Sequence, residues 1–151
     1  MPLLPPRRSQ FTATERFEFA EWLHVECLAA ILSLRPWPPG RFAFQGGTSL
    51  HLCYGSPRFS EDLDFLLLEI RDLDSFAQHL STHLSKAALL RVPGSSIKVA
   101  TNAHNAERNP MLFEARFAHP RVMTKLVVKL EFFKTPPHLM KPYQTELRQP
   151  L

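Results

Sequence analysis

Apolar and polar positions change period several times along this chain, and each change marks an expected element. From Thr12 or Thr14, either of which suits a helix cap, Phe17, Ala20, Leu23, Leu28, Ile31 and Leu32 follow a helical period to about Leu34. Arg35-Pro36-Trp37-Pro38-Pro39-Gly40 breaks that helix. Arg41 to Gln45 reads as a short buried strand, Gly46-Gly47 as a tight turn, and Thr48 to Tyr54 as a short helix ended by Gly55-Ser56-Pro57. Leu63 to Leu68 is a strand with Asp62 at its mouth. Leu73 to Leu90 is a helix whose stripe is Leu73, Phe76, Ala77, Leu80, Leu84, Ala87 and Leu89. Ile97 to Thr101 and Met111 to Phe117 read as strands on either side of a polar loop.

Val122 to Phe133 alternates most clearly. Leu126, Val128, Leu130 and Phe132 share one face; Val127, Lys129, Glu131 and Phe133 share the other. Pro136-Pro137 ends this strand. Residues 1–10 read as an irregular Pro- and Arg-rich arm, and residues 134–151 as a Pro-rich tail. The order of elements predicts an α+β fold, a mixed β-sheet with helices packed on one side. The 151 residues suit a single domain, 1–151.

Composition sharpens this only a little. Hydrophobic residues at 44% and charged residues at 21% suit a globular chain and exclude a disordered one. A net charge of +4 is compatible with a polyanionic partner without requiring one. Cys27 and Cys53 lie in apolar stretches and read as buried reduced thiols. No apolar run reaches membrane-spanning length and no secretory leader is recognisable, so the expected location is the cytoplasm, with no membrane partner.

The chemistry concentrates in two neighbouring stretches, Phe44-Gln45-Gly46-Gly47-Thr48-Ser49-Leu50 and Arg58-Phe59-Ser60-Glu61-Asp62-Leu63-Asp64-Phe65. On a strand, Asp62 and Asp64 project to one face while Leu63 and Phe65 enter the core. Two converging carboxylates repel unless a cation lies between them, and Mg²⁺ suits one or two carboxylates plus substrate phosphates. Gly46 and Gly47 allow close backbone approach, and the following helix presents free N–H groups to an anion. The hydroxyls of Thr48 and Ser49 are expected to add donors. Glu131 is the expected third carboxylate, as a metal ligand or as a base for the attacking hydroxyl. Lys129 is placed to steady phosphate charge, and Arg58 and Ser60 to contact a triphosphate or brace the loop. Alone, Asp-x-Asp is usually a pair of solvated loop acids, Lys129 and Glu131 usually an exposed strand pair, and Gly-Gly a mere turn. Their order and spacing together favour the functional reading. His51 and Cys53, two apart in a helix, make a poor zinc pair.

Gly-Gly-Thr-Ser-Leu-His-Leu followed by Arg-Phe-Ser-Glu-Asp-Leu-Asp-Phe resembles the AbiEii-type nucleotidyltransferase toxins of the DNA polymerase beta-like superfamily, over about Phe42 to Phe133. The resemblance implies that superfamily's fold, and a toxin component of a bacterial toxin–antitoxin, abortive-infection or phage-defence system with an antitoxin partner. It implies a nucleoside triphosphate substrate, Mg²⁺ or Mn²⁺, and transfer of a nucleotide to an RNA hydroxyl, such as that of a tRNA, or to a protein hydroxyl. By it, Gly46, Gly47 and Thr48 would bind phosphate and Asp62, Asp64 and Glu131 metal. Two departures stand out. Glu131 replaces the Asp of many relatives, and the helical region expected beyond this point, with its lysine and lysine–aspartate motif, is not in the sequence, which ends at Leu151. The alternative expectation is therefore a truncated, inactive nucleotidyltransferase-like module that binds a partner protein. A third is a plain RNA-binding domain using its basic surface.

Overall fold

A computed structural model describes residues 4–34, 41–68, 75–103, 107–123 and 125–140. The proline-rich break after Leu34, Leu73, and the tail beyond Met140 lie outside these residues. The elements in order are α1 (Ala13–Leu34), β1 (Phe42–Gln45), α2 (Gly46–Tyr54), β2 (Leu63–Leu67), α3 (Phe76–Arg91), β3 (Ser96–Thr101), β4 (Met111–Ala118), β5 (Leu126–Lys134) and α4 (Pro137–Met140). The five strands form one mixed sheet in the order β1-β2-β5-β4-β3, with β1 antiparallel and β5 parallel to β2. This is the expected α+β class.

The chain divides into two compact units. One comprises residues 1–35, 75–100 and 114–128; the other comprises 36–74, 101–113 and 129–151.

In the first unit, Thr12 rather than Thr14 caps α1. Its hydroxyl accepts from the Glu15 N–H at 3.1 Å, while the Glu15 carboxylate accepts from the Thr12 N–H at 3.0 Å. Two orphan N–H groups of the helix start are satisfied reciprocally. The buried stripe of α1 is Phe19, Ala20, Leu23, His24, Cys27, Ala30 and Ile31. The expected stripe is therefore rotated. Leu32 is 67% exposed, and Phe17 and Leu28 are only half-buried. Phe19 and His24 occupy inward positions that the expected stripe did not include, while Cys27 is buried as its apolar surroundings suggested.

α3 packs on α1 and buries Phe76, Leu80, Leu84 and Ala88, spaced one turn apart, so Leu89 and Leu90 fall on the exposed side. A polar seam flanks this packing. The His79 Nε2 lies 2.9 Å from the Ala30 carbonyl, and the His83 Nε2 lies 3.2 Å from the Glu26 carboxylate. Phe19 also meets Phe117 of β4, ring centroids 5.5 Å apart. The ladder of β5 starts at Leu126, later than expected. Val122 instead forms an isolated parallel bridge with Ser9, which ties the N-terminal arm down.

In the second unit, α2 begins at Gly46, so the two glycines are the first turn of the helix and not a turn before it. Gln45 is extended, and Gly46, at φ +82°, makes the reversal that starts the helix directly off β1. Gly55, at φ +72°, ends α2 as expected, and the Ser56 N–H donates back to the Leu50 carbonyl at 3.0 Å. β1 is half-buried rather than buried, because it is the sheet's edge. Phe42 and Phe44 stack on Phe65, Phe65 stacks on Phe132 at 4.8 Å, and Phe113 meets Phe132 edge-on. This aromatic row is the unit's core.

Candidate active site

The alternation that drives Phe65 into that row sends its neighbour Asp64 to the opposite face. Leu63 and Phe65 are fully buried, whereas Asp62 and Asp64 are half-buried. Register then decides what surrounds Asp64. It is paired with Glu131 on β5 and with Gln45 on β1. Directly paired residues project to one face at contact distance, so Gln45, Asp64 and Glu131 form a row across three strands. The Glu131 carboxyl hydrogen-bonds that of Asp64.

Charge follows from this crowding. Burial first, then the hydrogen bond to Asp64 and the charges of Asp64 and Asp62, push Glu131 above its ordinary pKa, against the pull of Lys129. Burial also raises Asp62, with Asp64 and Glu61 adding to the shift and Lys129 opposing it. Glu131 feels both aspartates and Asp62 feels Asp64, so the three carboxyls share one electrostatic neighbourhood with Lys129.

The glycines serve this arrangement directly. A Cβ on Gly46 would lie 2.7 Å from Asp64 Oδ2, and one on Gly47 would lie 2.9 Å from the Ser60 Cβ. Their bare Cα atoms let the segment from Ser60 to Asp64 close on the start of α2. Thr48 clamps the same segment. Its buried hydroxyl reaches the Asp62 carbonyl at 2.5 Å and the Ser60 carbonyl at 3.1 Å. Ser49 donates to the Phe44 carbonyl at 3.3 Å. The hydroxyls of Thr48 and Ser49, expected to reach phosphate, are thus committed to backbone carbonyls; their spacing in sequence gave no sign of this inward role. Ser60 packs on Gly47. Arg58 is exposed, its own N–H facing the Ser56 hydroxyl at 3.4 Å. His51 turns Nδ1 to the Ser56 carbonyl at 2.7 Å and Cys53 is buried, so these two are not a metal pair.

Gln45 was not singled out from sequence, although it directly precedes Gly46. Only the register of β1 against β2 places it beside Asp64.

As the side chains stand, no group of three His, Cys, Asp or Glu among the described residues is set to hold a metal ion. The Asp64 and Glu131 carboxyls lie within hydrogen-bonding reach of one another. An all-oxygen donor set from like-charged groups nonetheless fits a hard divalent ion, which would relieve their repulsion.

The fold and this acid row, set against a glycine-led helix, define a nucleotidyltransferase fold. MenT4, a nucleotidyltransferase toxin from Mycobacterium tuberculosis H37Rv, matches 91% of the chain at a TM-score of 0.56 and 20% identity. JHP933 from Helicobacter pylori matches 83% at a TM-score of 0.50 and 22% identity. At these identities the likeness is one of fold. The chain spans 43% and 46% of those two proteins' lengths. No curated protein matches the sequence. Residues 27–150 match the model of the nucleotidyl transferase AbiEii toxins of type IV toxin–antitoxin systems, and the chain belongs to that family.

No helix among the described residues is long and apolar enough to cross a membrane.

Proposed function

We propose that the chain acts as one nucleotidyltransferase domain in the cytoplasm, moving a nucleotide from a nucleoside triphosphate to a hydroxyl of RNA or protein. The observation that carries this reading is the single row of Asp64 and Glu131, with Asp62 beside them, closing on bare glycine Cα atoms at the start of α2. Asp62, Asp64 and Glu131 would hold one or two divalent cations, Mg²⁺ or Mn²⁺, which supply charge neutralisation for the triphosphate. The N–H groups of Gly47, Thr48 and Ser49, which a helix start leaves without intrahelical partners, receive phosphate oxygens. Lys129 and Arg58 add positive charge at the margin, and Ser60 fixes the loop against Gly47. The acceptor oxygen attacks the α-phosphorus, pyrophosphate leaves, and Glu131 takes the hydroxyl proton. An antitoxin partner accords with the family's toxin–antitoxin membership.

The test has two parts. Calorimetric titration of Mg²⁺ with each nucleoside triphosphate should show binding by the wild type that Asp64→Ala loses. Incubation with labelled triphosphates and total RNA or protein should show incorporation lost in Asp62→Ala. Equal binding by wild type and Asp64→Ala removes the metal role. A chain that incorporates nothing but co-purifies with a neighbour-encoded protein is instead a binding module.

A further inference from the structure

The unit built from residues 1–35, 75–100 and 114–128 carries ten Lys and Arg against five Asp and Glu; the unit holding the acid row carries eight against nine. One local device brings part of that excess together. The Ser9 N–H donates to the Arg121 carbonyl at 3.1 Å, and the Met123 N–H donates to the Ser9 carbonyl at 3.0 Å. This parallel bridge between Ser9 and Val122 sets Arg8 level with Arg121 on the adjacent segment. Val122 is buried, so the alternation sends Arg8 and Arg121 outward together, and both are exposed. Two guanidinium groups side by side repel, and a polyanion relieves that repulsion.

Further along the same pair of segments lies a small cavity of about 50 Å³ lined by Gln10, Phe11, Arg16, Lys125 and Leu126. Two more cations flank it. The Phe11 ring is half-exposed and rests against the buried Phe19, centroids 4.9 Å apart. Positive charge at two successive steps, with a braced aromatic ring at the second, matches the alternation of phosphate and base along a single-stranded nucleic acid. These residues precede or lie apart from the glycine–acid motifs, and the arm lies outside the span 27–150 matched by the family model.

We propose that Arg8, Arg121, Arg16 and Lys125, with Phe11, form a docking surface for single-stranded RNA. The choice of RNA among polyanions rests on the proposed transfer to an RNA hydroxyl. The surface itself rests only on the pinned arm and the cleft.

The experiment measures anisotropy of a fluorescein-labelled twelve-nucleotide RNA against the full chain, without triphosphate, across a salt series. The wild type should bind, with affinity falling as salt rises. Arg8→Gln/Arg121→Gln/Lys125→Gln should bind at least tenfold more weakly at low salt and flatten the log–log salt slope by about 2. Arg8→Lys/Arg121→Lys, which keeps the charge, should stay within a few-fold of wild type. Phe11→Leu should weaken binding a few-fold with the salt slope unchanged. Unaltered affinity and slope in the triple variant would overturn the surface. So would tighter binding of phosphatidylserine vesicles, or of polyglutamate, than of the RNA. Asp62→Ala separates the two readings. If it binds RNA normally and loses nucleotide transfer, both stand; if it still transfers, the acid-row chemistry fails while the RNA surface is untouched.

Discussion

The two faces of β2 and its neighbours are built from alternate residues of the same strands, yet they obey opposite rules. On one face, Phe44, Phe65 and Phe132 stack across β1, β2 and β5. On the other, Gln45, Asp64 and Glu131 take the very next registered positions. The aromatic face gains from every contact it makes: apolar area leaves water and rings pack at favourable offsets. The acid face is electrostatically worse for being assembled, since burial and like charge raise both Asp62 and Glu131. A fold does not need that second row. The contrast teaches that the first face maintains the scaffold and that the second is held together against its own repulsion.

Substitutions at adjacent positions should separate the two faces. Phe65→Ala, fully buried within the stack, should cost about 3–5 kcal/mol in chemical denaturation. Asp64→Ala, one residue away, should leave the denaturation midpoint near wild type while abolishing triphosphate binding. A comparable loss of stability in both variants would erase the distinction.

Thr48→Val tests the link between the faces. It leaves the carbonyls of Ser60 and Asp62 without their buried donor and should cost about 1–3 kcal/mol. Because the clamp sets where Asp62 emerges, triphosphate affinity should fall with it.

Gly46→Ala adds a Cβ at positive φ and 2.7 Å from the Asp64 carboxylate. A cost of about 1–2 kcal/mol is expected from the backbone alone. The displaced carboxylate should weaken metal-dependent nucleotide binding beyond what that loss of stability explains, as read by calorimetry on protein still folded by circular dichroism.

The smallest effect has the opposite sign. With Glu131 raised in the folded state, the native protein holds more protons than the unfolded chain between the ordinary carboxylate pKa and the raised one. Its contribution to stability is present below that window and is lost as pH rises through it. Glu131→Gln should therefore raise the melting temperature of metal-free protein at neutral pH by about 1–3 °C and should flatten its pH dependence. Saturating Mg²⁺ should erase or reverse the advantage.

Most elements were legible because their periods are strong. The alternation from Leu126 to Phe133 gave both the core face and the outward Glu131 before any contact was known. Gly55 was legible as a helix stop for a local reason, the left-handed turn it makes. α1 was less legible: the expected stripe took in Phe17, Leu28 and Leu32 and left out Phe19 and His24. The inward line of that helix is chosen by what packs against it, here α3 and Phe117. The bridge that ties Ser9 to Val122 joins residues more than a hundred positions apart and has no local signature.

The candidate site shows the same division. Sequence by itself determined the residue types, the outward face of Asp64 between buried Leu63 and Phe65, and the family to which the motif belongs, because strand alternation and motif spacing are local. Only tertiary structure decided that Glu131 and Gln45 flank Asp64, that Thr48 turns inward to clamp the approach to β2, and that Gly46 and Gly47 yield their space to Asp64 and Ser60. Those outcomes depend on the register between strands distant in the chain, and register is fixed by the joint burial of side chains that no single segment contains.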